Sequence, residues 1–250
     1  MTLTPLRALL LGAIAYGAFL LATIPAQVVA RQADKASSGQ ARLPGAAGTA
    51  WNGSARLELK TRGLTLAIDE VRWRFLPARL LAGRAAFLVE ARTSGLDARA
   101  EISRGAISWQ ARDLVAGGDA SILAALHPLA VSWQPAGPIT LESAHLEWDG
   151  RNASGTATIE WRDASLALSP LRPLGSWRAK AVAQGASANV SLETIEGPLR
   201  LAGVGMLLLP GRLEFSGDAR AEPGRERDLE PLLDLIGPRR ADGARAIELR

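Results

Sequence analysis

Catalysis at neutral pH needs groups that hold a proton, a metal ion or a covalent intermediate, and this chain offers few. It contains two histidines, His127 and His145, and no cysteine. The missing thiols remove disulfides, thiolate zinc sites, iron–sulfur clusters and cysteine nucleophiles together. His127 stands before Pro128 at the end of a predicted helix, and His145 falls on the polar side of an alternating segment. Neither has the i, i+4 partner or the acidic pattern of a metal site. No G-x-S-x-G elbow, Walker loop, zinc-protease helix or dinucleotide fingerprint occurs in a suitable context. Gly203 and Gly205 flank Val204 between apolar segments, where glycine marks a bulge or tight turn. Three Asn-x-Ser triplets, at Asn52, Asn152 and Asn189, are too short a pattern to carry a glycosylation assignment. The residues therefore assign no catalytic group, no metal ligand and no cofactor, and the chain is not expected to be an enzyme.

Charge excludes a second class. The formal net charge is +4, and the only lysines are Lys35, Lys60 and Lys180. A nucleic-acid binder gathers its basic residues into one stripe. Here arginine alternates with acid, as in Asp97, Arg99 and Glu101, so no nucleic-acid partner is expected.

The elements that would position any site divide sharply. Residues 6–29 form a mainly apolar run, with no charge between Ala8 and Ile24. About 20 apolar residues in a helix rising 1.5 Å each cross a bilayer core about 30 Å thick. Val28-Val29-Ala30 offers small residues to a signal peptidase, but the run exceeds the usual h-region of roughly 7–15 residues. An uncleaved signal-anchor is therefore expected over 6–29, after a short cytoplasmic N-terminus at 1–5. Residues 30–47 are rich in Gln, Ala, Ser, Gly and Pro and read as a linker. Arg31, Lys35 and Arg42 on the far side outnumber Arg7 and the N-terminal amine, so the positive-inside count does not support a cytoplasmic N-terminus, but long C-terminal domains translocate largely regardless of charge.

Beyond the linker, residues 48–250 read as one all-β domain. Apolar and polar residues alternate over 55–60, 64–68, 71–75, 85–91, 96–102, 106–109, 139–142, 144–148, 157–161, 165–168, 177–181, 188–192, 199–201, 213–215 and 244–249. Short strands separated by Gly, Pro, Asp and Asn turns predict a large, curved antiparallel sheet with one solvated face. Two short helices are expected, one over 120–126 capped by Asp119 and one over 228–236. Trp73, Trp109, Trp133, Trp148, Trp161 and Trp177 fall in or near the strands. They are expected in the core or at sheet edges rather than on one exposed stacking face.

Several segments, taken in order, carry a resemblance. Gly48, Thr49, Trp51 and Gly53 follow the anchor, then Val71, Trp73, Pro77, Leu80, Leu81 and Gly83. Pro173, Leu174, Gly175 and Trp177 come later, then Phe215 and Gly217, then Leu229, Pro231, Leu232, Leu233 and Gly237. The chain resembles the type II secretion system protein N family along nearly its whole length. The resemblance implies a single-pass inner-membrane subunit with its C-terminal domain in the periplasm. Its implied partners are other envelope subunits of the machine that exports folded proteins across the outer membrane. It carries over no functional residue. Ten of its positions (Gly48, Thr49, Trp51, Gly53, Trp73, Pro173, Leu174, Gly175, Phe215 and Gly217) are expected to be structural. Trp51 is expected to bury its ring at the open end of the sheet. The alternative is a lipid-binding or lipid-transfer protein, because a curved sheet with an apolar concave face can hold the acyl chains of a phospholipid.

Overall fold

A computed structural model of the chain describes residues 5–61, 64–125, 128–209 and 211–249. His127 lies outside the described residues. The chain divides into two units, Met1–Phe75 and Leu76–Arg250.

The first unit begins with helix α1, Pro5–Ala22, and helix α2, Ala26–Ala36. The single helix expected over 6–29 is therefore two. Pro25 is extended at φ −69° and ψ 147° and starts α2; a proline also drives the residue before it out of the helical region. The Thr23 hydroxyl donates to the Phe19 carbonyl at 2.8 Å and closes α1. Among the described residues, no helix is long and apolar enough to cross a membrane. The expected linker is also more ordered than its composition suggested. Residues after α2 form two short strands, β1 (Ala41–Arg42) and β2 (Ala47–Gly48), both paired with β3 (Asn52–Thr61).

Strand β4, Leu64–Phe75, completes that sheet. It replaces two predicted strands, 64–68 and 71–75. Leu57 faces Ile68 and Ala55 faces Val71, so two residues of β3 span three of β4. The irregularity shifts the phase of the apolar alternation without ending the strand, which a strict period of two reads as a break.

The second unit is an antiparallel meander in which each strand pairs with its neighbour in sequence: β5 (Ala85–Thr93), β6 (Leu96–Arg104), β7 (Trp109–Asp119), β8 (Pro138–Trp148), β9 (Ala153–Ala164), β10 (Gly175–Gly185), β11 (Ser187–Glu196), β12 (Leu199–Leu208), β13 (Arg212–Ala221) and β14 (Arg245–Leu249). Strand β8 again merges two predicted pieces, and a register shift between Glu142 and Leu146 accounts for the phase change. The expected strand over 165–168 is a turn region with one bridge, Ser165 to Ala136. Most of β7 went unpredicted because Asp113, at φ 49°, interrupts its alternation.

Asp119 caps as expected, accepting from the Ser121 N–H at 2.9 Å. The turn it caps is 3-10, Ala120–Ala125, and helix α3, Pro128–Trp133, follows. Helix α4, Glu226–Ile236, lies where the second predicted helix did. Its Leu229, Leu232 and Leu233 are buried with Ala164, Leu174, Trp177, Leu199 and Ala219 in the unit's main core. The Trp177 indole N–H donates to the Leu199 carbonyl at 3.0 Å, which satisfies the one polar atom of that buried ring.

Candidate functional site

Register places the side chains of the second unit's sheet in rows. One row runs Phe87, Ile102, Ala111, Leu146, Gly155, Ala183, Ala188, Leu207 and Leu213 across nine strands. A second runs Ala91, Ala98, Ala116, Leu141, Ile159, Ala179, Leu192, Gly203, Gly217 and Ile247 across ten. Every member of both rows is apolar or glycine. The opposite face carries charge: Arg178 of β10, beside the second row, reaches Glu160 of β9 at 2.8 Å and Glu193 of β11 at 3.0 Å. Hydrogen bonds from Arg162 and Arg178 hold the Glu160 carboxyl below the usual carboxylate range. The sheet is therefore apolar on one face and solvated on the other.

Helix α4 covers only one end of the apolar face. A groove of ≈ 440 Å³ remains beside it, lined by Trp133, Ile159, Trp161, Leu168, Leu201 and Leu235. Trp161 and Trp177 meet edge-on there at 5.6 Å. At the other end lies a groove of ≈ 740 Å³, lined by Ile102, Trp109, Ala111, Leu146, Trp148 and Leu209 among others. Ile102 lies near the end of β6 and Leu209 follows β12, six strands away. Six spacings of about 4.8 Å place those strands about 29 Å apart in a flat sheet. One groove nevertheless touches both.

The rim of this larger groove is polar on one side. Trp109 of β7 sits directly opposite Trp148 of β8, and the two are 45% and 50% exposed. The Arg104 guanidinium lies 5.0 Å above the Trp109 ring, and Arg151 in the β8–β9 turn lines the groove. The acids nearby are already engaged. The Ser108 hydroxyl donates to Glu147 at 2.5 Å and the Gln110 amide at 3.0 Å, which together lower its carboxyl from the usual value. Asp149 accepts the backbone N–H of Asn152 at 2.7 Å and of Arg151 at 2.8 Å, and its carboxyl falls to about 2. His145 lies on the charged face opposite Arg112, 3.8 Å from Glu147. Among the described residues, no group of three or more His, Asp or Glu could hold a metal ion.

The tryptophan expectation needs correction. Trp109, Trp148, Trp161 and Trp177 share the apolar face by register, and only Trp177 is buried. The alternation pattern could not show this, because strand order and register decide which faces coincide.

The ten family positions fall into two clusters, one in each unit. In the first, Gly48 is left-handed at φ 83°, and a Cβ there would lie 2.5 Å from the Asn52 carbonyl. Gly53 sits under the Trp73 ring, whose N–H donates to the Thr49 carbonyl at 3.2 Å. The Thr49 hydroxyl accepts the Asn52 N–H at 3.1 Å. Trp51 is half-buried rather than buried. Its N–H reaches the Leu21 carbonyl of α1 at 2.7 Å, and its ring packs 5.0 Å from Phe75. In the second unit, Pro173 leads into the fully buried Leu174, whose N–H donates to the Ala164 carbonyl, and Gly175 passes Glu196 too closely for a side chain. The Phe215 ring lies on Gly203, Gly205 and Gly217. Sequence reasoning named these positions and missed the Arg104–Trp109–Trp148–Arg151 rim, which only strand pairing assembles.

No curated protein and no solved structure matches the chain. The family model of type II secretion system protein N matches residues 40–248, a span that includes both clusters of family positions. By that match the chain belongs to the type II secretion system protein N family.

Proposed function

We propose that this chain is a non-enzymatic inner-membrane subunit of the type II secretion system, anchored by α1 and working through protein contacts of its periplasmic β units. The family match over 40–248 carries the secretion assignment. The anchor is supported by the uncharged run from Ala8 to Ile24. Leu9, Ile14, Phe19 and Leu21 on α1 are each more than half exposed. For contacts, β14 is the best placed strand. It pairs with Phe215–Ala219 of the longer β13, is bridged on its other side by Arg239 at Arg245, and stands last in the sheet order. An edge of this kind accepts a further strand through its backbone groups.

The test is a chromosomal deletion complemented by the full chain, with secreted enzyme measured in the medium, and site-specific crosslinking from β14 in intact membranes. Loss of secretion on deletion, with a crosslink to another subunit of the machine, is expected. Normal secretion without the chain would overturn the assignment.

A second reading, that the chain holds a lipid, is favoured by the two apolar rows and by the two grooves along them.

A further inference from the structure

We propose that the ≈ 740 Å³ groove at the Trp109–Trp148 end of the second unit holds the acyl chains of an anionic glycerophospholipid, with the headgroup phosphate against Arg104 and Arg151. The proposal rests on the lipid reading above and gives that lipid a place and a charge.

The groove's size is within the range of about 300–1,000 Å³ that small-molecule sites occupy. The chemistry of its wall selects the occupant. Its floor is the face of a paired sheet, where backbone N–H and C=O groups are consumed by neighbouring strands. A peptide laid on that floor would find no partners for its own backbone groups, which is costly. An acyl chain has none to satisfy. The first apolar row continues from this groove across the sheet, from Leu146 through Gly155, Ala183 and Ala188 to Leu207, so apolar surface extends well beyond Ile102 and Leu146.

The rim selects the head. Arg104 and Arg151 are exposed, and among the described residues neither is in an ion pair. Stacking on Trp109 holds the Arg104 guanidinium at the boundary between floor and solvent while its N–H donors stay free to bind. Glu147 and Asp149 stay ionised, but their oxygens accept from Ser108, Gln110 and the turn amides and form no ion pair with Arg104 or Arg151 among the described residues. Tryptophans at the boundary suit a ligand that is apolar below and polar above. Two arginines beside such a boundary complement a phosphate without a compensating ammonium.

The test uses the full chain in detergent micelles doped with phosphatidylglycerol that carries a diazirine on one acyl chain, with the labelled peptides mapped after irradiation. Labels are expected on the segments holding Ile102, Ala111, Leu146 and Leu209. The double variant Arg104→Glu/Arg151→Glu should lower that label by at least about tenfold. Label on α1 should stay unchanged and serves as the internal reference. Circular dichroism of the variant checks that the sheet remains folded. The zwitterionic phosphatidylcholine analogue should label the groove less than the anionic one. Label on the apolar rows that ignores both headgroup and variant would overturn this proposal and leave the lipid reading standing. Label confined to α1 would overturn both. Because the readout does not involve secretion, neither failure would touch the subunit assignment.

Discussion

Asp149 closes the β8–β9 turn as an all-acceptor cap, taking two backbone N–H bonds and the Asn152 amide at 3.0 Å. The bonds from Asn152 and Arg151 exist only in the folded turn, so its carboxyl sits near 2, below its ordinary 3.8. A depressed carboxyl stabilises the fold above the unfolded value and loses that contribution as pH falls through the folded one. The turn should therefore weaken between about pH 4 and pH 2, and Asp149→Asn should flatten that part of the acid-stability curve. A carboxyl carbon shift titrating at an ordinary aspartate value would count against the cap. Trp51 supplies a second test at this scale. With its ring half-buried and its N–H on Leu21, Trp51→Phe should cost the first unit about 0.5–1.5 kcal/mol, the worth of one hydrogen bond. Gly53→Ala should cost more, about 1–3 kcal/mol, because the new methyl group meets Trp73 at 2.6 Å and the Ala47 carbonyl at 2.7 Å. Thermal melts of both variants rank the two effects.

Among the elements, α4 fixes the core of the second unit. Leu229→Ala should destabilise that unit by about 2–5 kcal/mol, since the side chain is fully buried against the sheet. Leu235→Ala, on the same helix but 69% exposed, should stay within about 0.5 kcal/mol. Chemical denaturation of the two separates packing from helix propensity. This helix was legible in the sequence, from its leucine pairs and the Gly237-Pro238 stop. The strands were legible where alternation kept its phase, as in β5, β10 and β11. They were cut or lost where a register irregularity moved the phase: between Ile68 and Val71, between Glu142 and Leu146, and at Asp113. The family positions could be named because short motifs in order carry the resemblance; among them Gly48 makes a tight local contact with Asn52. The groove rim could not, because Trp109 and Trp148 are 39 residues apart and meet only through pairing of β7 with β8.

At the scale of the whole molecule, the proposed anchor makes a claim that neither β unit makes alone. The run from Ala8 to Ile24 has no charge, and the exposed side chains of α1 include Leu9, Ile14 and Phe19. In water such a surface is a liability, since large uncovered apolar patches mark membrane or partner contact. In a bilayer it is the solvent-matched surface. The 18 residues of α1 rise about 27 Å, short of the roughly 30 Å of a hydrocarbon core. Placing a charge at mid-helix therefore tests the anchor directly. Ile14→Arg should cost about 2.5–3.5 kcal/mol on insertion scales. That cost should shift the chain from the carbonate-resistant membrane fraction toward the soluble one, while the β units keep their circular dichroism. Arg31→Glu, in the exposed part of α2 beyond the break at Pro25, should leave fractionation unchanged. If both variants and the parent chain are extracted alike by carbonate, α1 is not the anchor, and the apolar surface it exposes must be covered by another protein.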